Sequence, residues 1–526
     1  MTAALPRGVQ PLFDAETMRA TDRWAIERYG IPGPELMAAA GRALADEVMG
    51  LAPEGPVVIV CGAGNNGGDG YVAARCLADR GRDVRVLSTA PPERLRGDAA
   101  EARDRWDGGV AAWHDGALDG AAVIVDAILG TGATGAVRGT AEAAVRAIRA
   151  ATDGPERTPV VACDIPSGVD ASTGESPGVA VRAAVTVTFH AAPPGAWIAP
   201  GKGLTGRLVV ADIGIPAPRR SPDGVPELRC GRLTASVLDG LATRESSGTK
   251  FRSGHVTVVG GSPGMTGAPC LTALGAMRAG AGYVTLAVAE RVSDLVTTRA
   301  PWEALGLTLP DDGDGGLVSA AVGPIVAALE AHAGTLVIGP GLGRGGERGR
   351  VVGALMTATD APVVVDADAL TAVAGDPEAL RRGNGSDAPT VLTPHAGELA
   401  RVLGVATEDV TARRLHHARV LAERAQAIVV LKGDDSLIVA PDGRVAISPG
   451  DAPGLATAGT GDVLSGVTGA LLARGTDPFV AAAAAVWLHL QAGKLVAEEV
   501  GSDGVVASDV ARAVSVVRRR RTRGRQ

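Results

Sequence analysis

Twice along this chain, short runs of β-branched residues alternate with helix-length stretches rich in alanine and arginine, and many of the runs end on glycines. In the first half the runs fall at 57–60, 84–87, 122–125, 160–162, 185–189 and 208–210. Such alternation predicts a mostly parallel sheet with helices on both faces. Ahead of it, residues 14–49 read as two helices packed on one side. The second half repeats the pattern at 255–259, 284–288, 336–338, 363–365, 391–393 and 428–431. A hairpin-like pair follows at 436–440 and 444–448, turning on Pro441, Asp442 and Gly443. A stretch rich in Pro, Arg and Gly over 215–231 separates the two series and places the boundary near 216–230, giving domains 1–222 and 223–526. At 526 residues the chain exceeds what one core fills. Its hydrophobic content is 46% but only 2% is aromatic, so burial rests on Ala, Val, Leu and Ile, which suits strand–helix layers. The expected class is α/β, with two unrelated domains, since the halves share a pattern but not motifs.

Charge and apolar patterning narrow the partners. A net charge of −7 offers no footprint for nucleic acid, and the basic run from 518 to 525 reads as a solvated, frayed end. No segment has the roughly 20 uninterrupted apolar residues of a membrane span. The Ala-rich stretch 479–490 reads as a buried helix, so no membrane partner is expected. The opening MTAALPRG lacks the apolar centre of a signal peptide, and the five cysteines are scattered without a C-x-x-C pair. Cys61 and Cys163 lie inside strand-like runs as buried reduced thiols, which fits a cytoplasmic protein.

The loops that follow the strands carry the chemistry. In TAGTGDVLSGVTG (457–469), a Gly-Thr-Gly-Asp turn opens a helix. A helix start has unpartnered N–H groups and partial positive charge, so glycines there make an anion cradle. Asp462 would then stand beside a phosphate, where a carboxylate makes sense if it takes a proton from a hydroxyl attacking that phosphate. The plainer reading is a Gly-rich cap with an ordinary first-turn acid. Other strand ends of this half carry Gly339, Gly341 and Gly343, then VVVDADAL, then TPHAGE with His395 and Glu398, then the polar loop Lys432, Gly433, Asp434, Asp435 and Ser436. Ala268 beside Gly267 would start a helix with almost no side chain, leaving room for a flat ring. His395 is either a satisfied structural residue or a group facing the Gly-lined crevice.

In the first half, VVIVCG runs straight into AGNNGGDG at the carboxyl edge of a sheet, where ligands bind in open α/β folds. It is neither the phosphate loop ending in Lys-Ser/Thr nor the usual dinucleotide fingerprint, and a turn with Asx caps remains the alternative. Two further strand ends are unusual: Asp126 before the nest Gly130–Gly135, and Asp164 with Ser167 flanking Pro166. Acidic strand ends facing one crevice repel, which a bound substrate or a hard monovalent cation held by Asn66, Asp126 and Ser167 offsets.

NNGGDG, DAILGTGATG and DIPSGVD, with the later HAAPPGAWIAPGKGLTGRLVVADIGIP, together resemble the NAD(P)H-hydrate epimerase family. The resemblance implies a Rossmann-like three-layer sandwich that interconverts the R and S epimers of NADHX and NADPHX with K⁺ bound. It places Asn65, Asn66, Gly67, Gly68 and Asp69 on the nucleotide, as well as Gly130, Thr131, Gly132, Ala133, Thr134, Gly135 and Ala136. Asp164 contacts substrate, and Asn66, Asp126 and Ser167 hold the potassium. For moving the proton, Asp164 is the first candidate and Asp69 the second. In the second half, GSPGMTGAP, IGPGLGR, VVDADAL, TPHAGE, VLKGDDSLI and AGTGDVLSG, over about 232–515, are similar to the ADP/ATP-dependent NAD(P)H-hydrate dehydratase family with its ribokinase-like α/β fold. That likeness puts Ala268, Gly343, His395 and Asp462 on the hydrated nucleotide, and Lys432, Gly433, Asp434, Asp435, Ser436 and Gly461 on the adenine nucleotide, with Mg²⁺ and ADP, or ATP, as phosphoryl donor. TKFRSGHV stands where many relatives have a His-Lys-Gly entry, so Lys250 receives no role. A homo-oligomer acting on small molecules is expected. The rival expectation is a ribokinase-like vitamin or sugar kinase fused to a non-catalytic nucleotide-binding module, since such kinases share Gly-Thr-Gly-Asp.

Overall fold

The computed structural model describes residues 4–154, 157–216, 224–243, 253–383 and 385–523, with side chains to 520. Lys250 and the expected boundary between 222 and 223 lie outside the described residues. The chain divides into two compact units: Pro11–Cys230, and Met1–Gln10 together with Gly231–Gln526.

In the unit Pro11–Cys230, seven strands form one sheet in the order Ala111–Ala112, Val84–Ser88, Val57–Cys61, Val123–Ala127, Val160–Cys163, Val185–Phe189, Arg207–Ala211. Every neighbouring pair is parallel. The period-2 pleat sends alternate side chains to opposite faces. Val57, Ile59, Cys61, Val123, Val125, Val161 and Cys163 join one core with Leu36, Leu44, Tyr71 and Leu77 from the helices Gly33–Leu51 and Asn65–Asp79. Val58, Val60, Ile124 and Val160 join another with Ala144, Val145 and Ile148 of the helix Gly139–Asp153. Two cores on two faces make three layers, as the sequence pattern predicts. The helix Ala15–Trp24 completes the first layer, its start capped by the Asp14 carboxylate accepting from the Thr17 amide at 2.8 Å.

The other unit is built on an eleven-stranded sheet. Thr390–Leu392, Val363–Val365, Thr335–Ile338, His255–Val259, Tyr283–Ala289 and Leu305–Leu309 run parallel beside Ile428–Leu431. The hairpin Leu437–Val439 and Val445–Ile447 adds antiparallel to Ile428–Leu431. Cys230–Leu233 and Val9–Pro11 then close that edge. The helices Gly267–Ala279 and Thr460–Ala473 touch backbone to backbone: a Cβ on Gly466 would lie 2.0 Å from the Thr272 carbonyl oxygen, and one on Gly275 would lie 2.6 Å from that of Val463.

Two expectations at the end of the chain are refined. The Ala-rich stretch is the helix Pro478–Val500, the one helix among the described residues long and apolar enough to cross a membrane, and 72% of its apolar window is buried within the protein. The basic run does not begin as a frayed end. It continues the helix Ala507–Arg523, and Arg518 donates to the carbonyls of Ala279 and Ala242, so its guanidinium caps backbone acceptors instead of facing water. Cys61, Cys163 and Cys270 are buried free thiols, and Cys76 and Cys230 are partly buried ones.

Candidate active sites at two strand-end crevices

The first crevice opens where the strands Val57–Cys61, Val123–Ala127 and Val160–Cys163 hand over to their loops. It is a cavity of about 560 Å³ lined by Ala63, Gly64, Asn65, Asn66 and Asp69, by Gly130, Thr131, Gly132 and Ala133, and by Asp164. Thr134, Gly135 and Ala136 do not line it. Gly67 and Gly68 are buried in the first turn of the helix Asn65–Asp79. A Cβ on Gly67 would lie 2.1 Å from the Gly62 carbonyl oxygen, and one on Gly68 2.6 Å from the Met37 methyl, so these glycines seat the helix against the sheet.

Asp164 is the crevice's anchored carboxylate. Its backbone is left-handed, with φ at 68°. Oδ2 accepts from the Thr131 amide at 2.8 Å, and Oδ1 from the Thr188 hydroxyl at 3.2 Å. Burial raises its carboxyl above the ordinary range while these donors pull it down. Among the described residues Asp69 accepts from the Cys163 thiol alone, at 3.9 Å. Burial first, then the charges of Asp164 and Asp22, push it well above the usual carboxylate range. Asp22, which the sequence reading passed over, faces the same cavity from the helix Ala15–Trp24, and burial followed by Asp164 raises it to about 6. Its signal was present in the helical period: Ala15, Met18 and Ala25 are inward positions, and Asp22 sits among them.

The residues read as a cation site converge only in part. Asp126 is fully buried, its Oδ2 accepting from the Ser167 amide at 2.8 Å and its Oδ1 from the Ser167 hydroxyl at 2.6 Å. Burial lifts it to about 6 against these bonds. Asn66 is buried with both side-chain atoms unpartnered among the described residues. Its Oδ1 lies 3.1 Å, and Asp164 Oδ2 2.8 Å, from where a Cβ on Gly130 would stand, so the glycine leaves space between two oxygens. No cluster of three or more His, Cys, Asp or Glu arranged for a metal occurs among the described residues.

The second crevice has two parts. A cavity of about 260 Å³ is lined by Lys432, Gly433, Asp434, Ser436, Thr460, Gly461 and His489, with Leu455, Leu464, Val486 and Leu490 supplying an apolar wall. Asp435 is not in it: its carboxylate is locked to the buried Arg414, with both nitrogen contacts at 3.0 Å. Gly459 is left-handed, with φ at 88°, and delivers the chain into the helix Thr460–Ala473, whose start carries no side-chain cap. The Thr460 amide donates to the Thr457 carbonyl at 3.3 Å, and the amide of Gly461 is left to a ligand. Lys432 Nζ lies 3.4 Å from where a Cβ on Gly461 would stand, pairs with Asp366 Oδ1 at 2.8 Å, and approaches Glu398 Oε2 at 3.7 Å. Lys432 stays charged, held above its usual range by Asp366 and Glu398 against the opposing effect of burial.

The residues expected on the hydrated nucleotide gather at neighbouring strand ends. Gly343, left-handed at φ 82°, donates its amide to Asp368 Oδ2 at 2.9 Å. The Cβ of Ala268 lies 3.2 Å from where one on Gly341 would stand. His395 caps the helix Ala396–Leu403: its Nδ1 accepts from the amides of Gly397 and Glu398 at 3.0 and 3.3 Å, while Glu398 accepts from the His395 amide at 2.9 Å. Burial keeps this imidazole below its ordinary pKa, as an acceptor at Nδ1 requires. Asp462 is lifted to about 7, first by burial and then by Asp366, with Lys432 opposing. Sequence reasoning missed Asp366 and His489. Asp366 ends an apolar strand just as Asp126 does, which was a legible signal. His489 sits inside a long apolar helix with nothing local to mark it.

The fold and its paired crevices define a two-unit α/β enzyme with separate catalytic centres. Residues 256–515 match the NAD(P)H-hydrate dehydratase family model, and 33–195 match that of the YjeF-related protein N-terminus. A bifunctional NAD(P)H-hydrate repair enzyme of Moorella thermoacetica is 40% identical over 515 residues, covering 95% of each chain. One of Escherichia coli is 34% identical over 503 residues, 94% of this chain and 92% of that protein. The chain belongs to the bifunctional NAD(P)H-hydrate repair enzyme family. A solved ADP/ATP-dependent NAD(P)H-hydrate dehydratase of Bacillus subtilis, co-crystallised with ATP/Mg²⁺, is similar over 54% of this chain and 96% of its own, at 29% identity and a TM-score of 0.46.

Proposed function

We infer that this chain epimerises the R and S hydrates of NADH and NADPH in its first crevice, and dehydrates the S form in its second at the expense of a nucleotide, ADP being the preferred donor. The observation that carries the reading is Asp462: a carboxyl held near neutrality at the mouth of an uncapped helix start, beneath a charged lysine.

Dehydration follows from the leaving group. Hydroxide leaves C6 poorly, whereas a phosphate ester leaves readily when the ring nitrogen pushes. Asp462 takes the proton from the C6 hydroxyl as its oxygen attacks the terminal phosphorus. The new P–O bond replaces the one to the departing nucleotide. The amides of Gly459 and Gly461 hold the transferring phosphoryl, and Lys432 balances its charge. The nitrogen lone pair then expels phosphate, and loss of a C5 proton restores the dihydronicotinamide. Asp366 is already held by Lys432 and by the Ser465 hydroxyl, so it is not an open metal ligand, and a Mg²⁺ ion arriving with the nucleotide would screen the phosphate charge.

In the first crevice, burial and acidic neighbours push Asp69 well above the usual carboxylate range, which suits it to donate a proton, while the Thr131 and Thr188 donors oppose the upward effect of burial on Asp164 and suit it to accept one. Asp69 protonates the departing C6 hydroxyl as the nitrogen lone pair forms the iminium, and water re-adds on the other face, giving its proton to Asp164. Asn66, Asp126 and Ser167 fit K⁺: the buried Asp126 charge lacks a cation, and the Asn66 carbonyl oxygen lacks a partner. Such an ion supplies charge balance to this wall of the crevice.

Asp462→Asn is expected to abolish dehydration and leave epimerisation intact, read by the return of dihydronicotinamide absorbance and by separation of the epimers. Dehydration at the parent rate in this variant would refute the assignment. Turnover of thiazole or pyridoxine alcohols in preference to the hydrates would favour the kinase reading.

A further inference from the structure

The first crevice has a charge problem. Its lining carries four carboxylates, Asp22, Asp69, Asp98 and Asp164, yet the dinucleotide hydrate it is read to bind is itself anionic. Among the lining residues Arg19 is the one cation. It is exposed, makes no ion pair or hydrogen bond among the described residues, and is absent from the charges that shift Asp22, although both stand on the helix Ala15–Trp24. Three residues on, about 4.5 Å along the helix axis, Asp22 points to the acidic floor shared with Asp69 and Asp164. The helix therefore presents a cation and, one turn on, a carboxylate to the same cavity. It also lies ahead of residue 33, where the family model for this half begins.

We propose that Arg19 is a phosphate-binding residue of this crevice, and that it fixes the direction of the substrate, with a phosphate at Arg19 and the hydrated ring over Asp69 and Asp164. Of the charged side chains on this lining Arg19 alone attracts an anion, and a guanidinium gives planar, charge-assisted bonds to phosphate oxygens. The proposal rests on the epimerase reading for its substrate. Arg19 acts on binding and direction, not on the proton transfer.

The test compares Arg19→Ala and Arg19→Lys with the parent full-length chain on three substrates: the hydrates of NADPH, of NADH, and of reduced nicotinamide riboside, which has no phosphate. Arg19→Ala should raise KM for the dinucleotide hydrates by roughly tenfold or more, with kcat little changed and the riboside hydrate unaffected. Arg19→Lys should recover part of the loss. A loss shared by NADPH and NADH hydrates assigns the diphosphate, and one confined to the NADPH hydrate assigns the 2′-phosphate. Unchanged KM for both dinucleotides, or an equal loss on the riboside, overturns the proposal. Hydrogen exchange over residues 15–24 with added NADPH hydrate keeps the two readings apart. A parent chain without epimerase activity would sink the activity alone, whereas protection of this helix that survives Arg19→Ala would sink the role of Arg19. Because Arg19 is exposed and unpartnered, the variants keep the native fold.

Discussion

Single side chains in both crevices are held away from their solution protonation states, and this has measurable signs. Burial lifts Asp462 to about 7, so if it accepts the hydroxyl proton, dehydration should fall off on the acid side of about pH 7, as a pH–rate profile would show. Asp22 gives a stability prediction. Its folded value of about 6 exceeds the ordinary 3.8, so the folded chain keeps this proton longer than the unfolded one. The cost of ionising it is absent below the unfolded value, grows as pH rises between the two, and is complete above about 6. Asp22→Asn should therefore stabilise the unit Pro11–Cys230 by about 1–3 kcal/mol at about pH 8, with the gain shrinking toward about pH 4, as thermal melts would show. The contrast with Asp462 shows what a sequence discloses about a site. Asp462 is flanked by the glycines that build its setting, so the chemistry is written locally. Asp22 becomes a site residue only because its helix packs over strand ends far along the chain, and Arg19 shares that dependence.

At the scale of elements, the glycines in the crevice loops divide by what they permit. Gly459 allows a left-handed entry to the phosphate-facing helix, whereas Gly67, Gly275 and Gly466 allow backbones to touch. Gly466→Ala would drive a methyl to 2.0 Å from the Thr272 carbonyl oxygen and force apart the helices Gly267–Ala279 and Thr460–Ala473. A loss of about 1–3 kcal/mol is expected, with dehydration impaired and epimerisation retained in the same preparation. Parallel central strands were legible because both faces are buried, so each reads as a continuous β-branched run. The strands that escaped were Val9–Pro11, Ala111–Ala112, Cys230–Leu233 and Leu305–Leu309. Three of these lie at the ends of their sheets and the fourth, Cys230–Leu233, sits one strand in from an edge. They are short, and Leu305–Leu309 is largely exposed, so little apolar pattern marks them.

At the scale of the whole molecule, the units divide at Cys230 and Gly231, past the boundary between 222 and 223 read from composition, and the membership of the first ten residues had no signal in the sequence. Met1–Gln10 belongs with the dehydratase unit. Gly8 O accepts from the Thr234 amide at 2.8 Å, and Arg232 donates to the Gln10 side chain at 3.0 Å. Nothing in the sequence of this segment announces a partner more than two hundred residues away. Removing residues 1–10 should lower the melting temperature and activity of the dehydratase unit while the epimerase unit keeps both, which domain-resolved melting of the truncated chain would measure.

In chain order one unit is inserted between the first ten residues and the remainder of the other, so Pro11–Cys230 is synthesised before the strand Val9–Pro11 can meet Cys230–Leu233. A gene split at the apparent junction would therefore yield a dehydratase without its first strand, its sheet ending on a bare edge.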